Sequence, residues 1–191
     1  PSGLIDPMLM HASLPGKLSM IAKHTLFKVP ILGRLIRGAG AVPIERSQDS
    51  TDKQGSKNRN QQQLDSVASV VADGGRLIIF PEGKTHTDST VKRARSGAAR
   101  ILLAARRKAE LEGKPLPQLV PVGLHYSESS TFRERAAVIV ERVMQFNPIP
   151  KRTDDEEEQD RLDRAWVSEV TDAIGIELQR ASLSKTTWRE R

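Results

Sequence analysis

Cysteine is absent from the 191 residues, which removes disulfides, thiolate metal sites and a cysteine nucleophile and fits a reducing compartment. Aromatic residues are scarce at 4%, too few for the stacking platform on which single-stranded nucleic acid is held. No apolar run reaches the roughly 18 to 20 residues that cross a bilayer. Nor does a basic segment followed by an apolar core open the chain as a signal peptide would. An initiating methionine is missing as well: the chain starts Pro1-Ser2-Gly3 and reads as a piece of something longer. What is present is ordinary globular composition, 37% hydrophobic and 28% charged, enough for one closed core with or without one appendage. No internal repeat is visible.

Net charge is +6, and its distribution says more than its total. Lys84, Lys92, Arg93, Arg95, Arg100, Arg106 and Arg107 face a single acid, Asp88, so one segment carries the whole excess. Such a segment attracts phosphate, whether on nucleic acid, on an anionic lipid or on a small phosphorylated substrate.

From Leu18 to Arg37 apolar residues cluster between Lys17, Lys23, Lys28, Arg34 and Arg37. This pattern predicts short amphipathic helices broken at Pro30 and Gly33, either surface helices or an interfacial segment that touches lipid. Residues 41–46 form a strand candidate, and the polar stretch from Ser47 to Gln63 begins as a loop. A helix is then expected around Leu64, Val67, Ala68 and Val71, ended by Gly74-Gly75. Arg76 to Phe80 reads as a buried strand stopped by Pro81. After the basic loop a helix from about Gly97 to Glu112 stops at Gly113, and Leu119–Tyr126 and Ala136–Met144 are further strands. Beyond the acidic run Asp154–Glu158, Leu162, Trp166, Val170, Ile174 and Leu178 recur every four residues and predict a C-terminal amphipathic helix docked on the body. The tail after Leu183 is expected to fray. The alternation implies an α/β fold: a layered domain with a mostly parallel sheet flanked by helices, over residues 1–150. Residues 151–191 then form an acidic linker and the C-terminal helix.

Chemistry needs a base. A histidine oriented by an aspartate is the usual device for deprotonating a hydroxyl near neutral pH, yet no aspartate stands four or five residues after His11, His24, His86 or His125. On composition each of these histidines reads as structural. Glu82 follows a strand at Pro81-Glu82-Gly83, which puts a carboxylate at the carboxyl edge of the sheet, where open α/β folds bind ligands. Gly83 permits a sharp turn there. Arg46 ends a short strand after Gly38 and Gly40, and an arginine can grip phosphate in bidentate fashion. Val120-Pro121-Val122 is a weaker signal, because proline within a strand usually marks an edge or bulge.

Taken in order, Pro1-Ser-Gly-Leu-Ile-Asp6-Pro, Gly40-Ala-Val-Pro-Ile-Glu-Arg46, Phe80-Pro-Glu-Gly83 and Val120-Pro-Val-Gly123 resemble the four ordered blocks of the glycerolipid acyltransferase family. That family includes the glycerol-3-phosphate and 1-acylglycerol-3-phosphate acyltransferases. The likeness covers about residues 1 to 147, including Leu26 to Gly33 and Ser96 to Arg100. It implies a membrane-peripheral, cytoplasmic enzyme that moves a fatty acyl group from acyl-CoA or acyl carrier protein to a hydroxyl of glycerol 3-phosphate or its 1-acyl derivative. No metal and no cofactor are required. The first block pairs a histidine with a downstream aspartate, so the resemblance implies a histidine immediately before Pro1, and residues 1–191 alone are expected to be nearly inactive. Carried over residue by residue, Asp6 orients that base, Arg46 and Glu82 hold the phosphorylated acceptor, Gly83 shapes the turn, and Arg95 in the basic loop helps to neutralise phosphate. Pro121 lies on the donor side. Departures are Pro43, where many members have an aromatic, and Lys84-Thr85-His86 after the third block. A partner surface of anionic lipid is expected and nucleic acid is not. Two other readings are a catalytically inactive lipid-binding relative and a basic nucleic-acid-binding module.

Overall fold

The computed structural model describes residues 5–23, 30, 33–34, 38, 41–44, 53–82, 93–126 and 136–183. It divides into two compact units: residues 1–14, 81–99 and 118–191 form one, residues 15–80 and 100–117 the other.

The second of these holds a three-stranded parallel sheet in the order β2-β1-β3, made of β1 (Leu18–Lys23), β2 (Ala41–Ile44) and β3 (Arg76–Ile78). Met20 lies opposite Ala41 on one side of β1, and Leu18 lies opposite Arg76 on the other. Parallel neighbours cannot be joined by a tight turn, and between β2 and β3 the chain runs through α2 (Lys53–Ala72). Leu64 and Val67 on α2 form a buried cluster with Ile101, and Ile21, Leu77 and Ile79 pack around it. A second cluster, Ala68, Ala72, Ala105 and Ala109, joins α2 to α3 (Gly97–Leu111). Alanine at all four buried positions leaves only methyl groups at the centre of this contact, with Val71 and Ala104 packed around it.

Both helices end in the same hydrogen-bonded turn. Gly74 has φ +85, with its N–H on Val71 O and the N–H of Gly75 on Val70 O. Gly113 has φ +63, and the N–H groups of Gly113 and Lys114 reach Glu110 O and Ala109 O. These are Schellman closures, which place glycine where a Cβ would be strained. Gly75 is required for a different reason: a Cβ on it would lie 2.5 Å from Val70 O.

The first unit contains α1 (Ile5–Ser13), β4 (Val122–Tyr126), β5 (Ala136–Val140) and α4 (Glu156–Leu183). β4 and β5 pair antiparallel, Val122 opposite Val140 and Tyr126 opposite Ala136. α4 packs on β4, and α1 on β5. The α4 N-terminus is capped by Asp155, whose carboxylate accepts the N–H groups of Glu157 and Glu158 at 2.9 and 3.2 Å. Its buried side is Trp166, Val170, Ile174 and Ala181. The Trp166 indole donates to Asn147 O at 3.0 Å and meets Phe146 edge-on.

Several expectations are corrected. Leu18–Lys23 is a strand rather than the start of a helix: Leu18 and Met20 are buried and alternate with the half-buried Ser19 and Ile21, a period of two that a six-residue window cannot separate from helical clustering. The remainder of the expected interfacial segment lies largely outside the described residues. The stretch from Ser47 to Gln63 is no loop throughout, because α2 already begins at Lys53. Lys53, Gln54, Lys57, Arg59 and Gln61 to Gln63 favour helix and Gly55, Asn58 and Asn60 do not, so the helix propagates outward from the packed turns at Leu64 and Val67. The strand after Gly75 is confined to Arg76–Ile78, with Phe80 40% exposed. The expected single, mostly parallel sheet is two sheets among the described residues, the parallel one and an antiparallel pair of β4 and β5. The expected fraying after Leu183 falls outside the described residues.

Candidate active site

Asp6 stands in the first turn of α1 and is 2% exposed, the one charged side chain buried among the described residues. A carboxylate taken out of water persists only when something compensates its charge. The helix N-terminus supplies part of that compensation, and Asp6 is not without a partner. Pro7 follows it within the first turn, where a missing N–H costs the helix nothing. Met10, one turn on, is buried and closes the helix by accepting the N–H of Leu14 at 3.0 Å.

Glu82 is half-buried just after Pro81. The backbone N–H of Arg95 donates to Pro81 O at 2.9 Å, so the two ends of the basic loop meet beside Glu82. Arg95 itself projects as an exposed side chain. Pro121 is buried immediately before β4, and its carbonyl accepts the N–H of Glu141 at 3.0 Å. The ladder thus continues past Val122, and the proline, with no N–H to donate, occupies a position where only its acceptor is used. Asp6, Glu82, Arg95 and Pro121 all belong to the first unit. Arg46 and Gly83 lie outside the described residues, as do His24, His86, Lys84 and Lys92. His125 occupies β4 opposite Ala137.

The linear cluster of bases does not act as one exposed patch. Arg93, Arg95 and Arg100 are exposed, but Arg100 donates to the Gln61 side chain at 3.1 Å. Arg106 donates to Pro117 O at 2.9 Å, and its burial lowers the guanidinium pKa. Among the described bases of this cluster, Arg93 and Arg95, ahead of α3, are the exposed ones without such a bond.

Sequence reasoning passed over a groove of about 300 Å³ in the first unit, between Arg93-Ala94 and one face of α4. Its one sequence signal was Gly175, a glycine inside an otherwise continuous helical pattern.

The acyltransferase family model matches residues 2–124. The chain belongs to the acyltransferase family. Neither the curated proteins nor the solved structures contain a match to it. The matched span of this acyltransferase takes in Asp6, Arg46, Glu82, Gly83, Arg95 and Pro121, and it ends before β5 and α4.

Proposed function

We propose that this acyltransferase acts in phospholipid synthesis, moving a fatty acyl group from the thioester of acyl-CoA or acyl carrier protein to a hydroxyl of glycerol 3-phosphate or 1-acylglycerol 3-phosphate. The observation that carries this reading is the buried Asp6 at the head of the family-matched span. A buried carboxylate is poor surface chemistry but suits the residue that fixes an imidazole tautomer and stabilises the imidazolium. In this reaction the imidazole of a first-block histidine, oriented by Asp6, takes the proton of the acceptor hydroxyl as its oxygen attacks the thioester carbonyl. The tetrahedral intermediate collapses, the C–S bond breaks, and the thiolate leaves with the proton returned by the imidazolium. Backbone N–H groups stabilise the oxyanion. Arg46 and Glu82 are assigned to the phosphorylated acceptor, Arg95 adds positive charge, and Pro121 is assigned to the donor side.

The acceptor or product is a lipid, so the enzyme works at a bilayer surface. Among the described residues no helix is long and apolar enough to cross a membrane. Residues 24–37, with Phe27 and Leu35 among Lys28, Arg34 and Arg37, are the segment we assign to anionic lipid.

The test is acyl transfer from radiolabelled acyl-CoA and acyl carrier protein to both acceptors, by residues 1–191 and by the same chain with a histidine ahead of Pro1. Transfer is expected only from the histidine-bearing chain. Full transfer by residues 1–191 alone would move the base to His86 or His125, and transfer by neither chain to either acceptor would overturn the glycerolipid reading.

A further inference from the structure

The side of α4 turned away from its buried residues carries a pattern that the fold does not use. At about 100° per residue, Asp172, Gly175, Ile176 and Gln179 fall together, roughly opposite Trp166, Val170 and Ile174. Their i, i+3, i+4, i+7 spacing is the one by which a helix seats on a neighbour. Ile176 is 52% exposed. Asp172 and Gln179 are exposed as well, and neither has a hydrogen bond or ion pair to another described residue. A Cβ built on Gly175 meets nothing within 4 Å, so packing does not ask for glycine there, although it is the poorest helix former after proline. What the missing side chain provides is a hollow beside the Ile176 knob, opening onto the groove that Arg93 and Ala94 border on its other side.

This pattern is its own complement. Asp172 stands three residues before Gly175, and Gln179 three residues after Ile176. A two-fold axis through the midpoint between Gly175 and Ile176, crossing α4 with an antiparallel copy, sets Ile176 of each copy beside Gly175 of the other. The same operation brings the Asp172 carboxylate of each copy to the Gln179 amide of the other. One patch thus supplies both knob and hollow and both acceptor and donor, which is the condition for an isologous contact. A partner of different sequence would require no such symmetry. Charge fits too, because a carboxylate that loses water at an interface needs compensation. Arg93 borders the same groove, with no ion pair to another described residue.

We propose that a second copy of this chain docks on this face, giving a two-fold dimer in which the two α4 helices cross antiparallel at Gly175. Centred there, the overlap runs from Ser168 to the helix end at Leu183, about 24 Å at 1.5 Å per residue. A single helix pair of that length belongs to the small end of interface sizes, so Kd is expected on the order of 10 µM or above. α4 lies beyond the span matched by the family, and the contact uses none of the residues assigned to acyl transfer. The dimer therefore goes beyond that reading and is tested without it.

Sedimentation equilibrium of residues 1–191, from about 1 µM to 1 mM protein, is expected to show the mass rising from monomer towards dimer. Gly175→Leu fills the hollow and should weaken association by at least about tenfold. Circular dichroism and Tm should report that α4 stays folded in this variant, as the open space around Gly175 allows. Charge fixes the register. Asp172→Lys and Gln179→Glu each spoil both symmetry-related contacts of a homodimer, so each variant alone should associate about tenfold more weakly. An equimolar mixture of the two should associate about tenfold more tightly than either alone, because one contact then gains opposite charges and the other is the native Asp172 with Gln179. A monomer over the whole concentration range would overturn the proposal and leave the groove to another kind of partner. A dimer unmoved by folded Gly175→Leu, or two charge variants that do not recognise each other when mixed, would overturn it as well by placing the contact elsewhere.

Discussion

The two units spend their polar groups differently. In the unit built on the parallel sheet, polar side chains tie the chain to itself: Arg76 donates to Pro15 O, Lys108 to Ser69 Oγ, and Lys114 pairs with Asp73 and Glu112 at 2.7 Å each. The other unit has such bonds too, Trp166 to Asn147 O and the Asn147 side chain to Glu169 among them, but it also buries a carboxylate at the head of α1. Both units hold a scaffold in this way, and the first adds the one buried charge among the described residues. Substitutions in the first unit should therefore alter kinetics and binding, and those in the sheet unit should alter stability.

The sharpest test is Asp6→Asn in the histidine-bearing chain. If the carboxylate orients the base, kcat should fall by about a hundredfold or more, in line with the contribution of general-base catalysis. The isosteric amide should shift Tm much less than Asp6→Ala does. Equal loss of stability in both variants with kcat preserved would make Asp6 a core group. Arg46 tests where the comparison breaks, since it follows β2 in the chain yet is assigned to the acceptor phosphate. Arg46→Ala should raise the acceptor KM by about ten- to a hundredfold, with the donor KM unmoved. Steady-state assays with both substrates varied decide it.

Gly75→Ala should lower stability by about 1 to 3 kcal/mol, the usual cost of forcing extra volume into a closed space, because the added Cβ meets backbone Val70 O. Urea titration checks this, and kinetics of the surviving folded fraction should be unchanged. Phe27→Ser with Leu35→Ser should reduce flotation on anionic liposomes several-fold, with binding that also weakens with added salt. No lipid association of the unsubstituted chain at low salt would reject the membrane assignment.

The smallest effect belongs to the Lys114 pair, which is fully exposed. The hydrogen bond and charge of Lys114 hold the Asp73 carboxyl below its ordinary value, while Asp73 and then Glu112 raise the Lys114 ammonium. A carboxyl with a depressed folded pKa contributes above its unfolded value and loses that contribution as pH falls through the folded one. The raised lysine contributes fully below its unfolded value and loses this only in strong base. Lys114→Met should therefore flatten a slight acid-side decline in Tm, and salt should hide the difference.

How much of this was legible beforehand depends on how local the signal is. Gly74-Gly75 and Gly113 announced both helix ends, because a Schellman turn is built by the residues next to it. The apolar residues at Trp166, Val170 and Ile174 marked the buried side of α4 in the same way. Leu18–Lys23 was misread because six residues fit two periods, and only the neighbours β2 and β3 choose between them. Asp6, Glu82 and Pro121 were visible as members of ordered blocks, but nothing in their spacing told that Asp6 is buried or that Arg95 closes onto Pro81.

By itself the sequence determined the ordered blocks, the helix stops and the charge concentrated between Lys84 and Arg107, since each is a matter of which residues follow one another. Tertiary structure alone decided the rest. It divided that charge between groups bonded inside the fold, such as Arg106, and exposed ones, such as Arg93 and Arg95. It also paired β4 with β5 rather than with the parallel sheet, and opened a groove at Gly175 from residues about eighty positions apart in the chain. Burial and the choice of hydrogen-bond partner depend on segments distant in sequence, and no local pattern encodes which distant segment arrives.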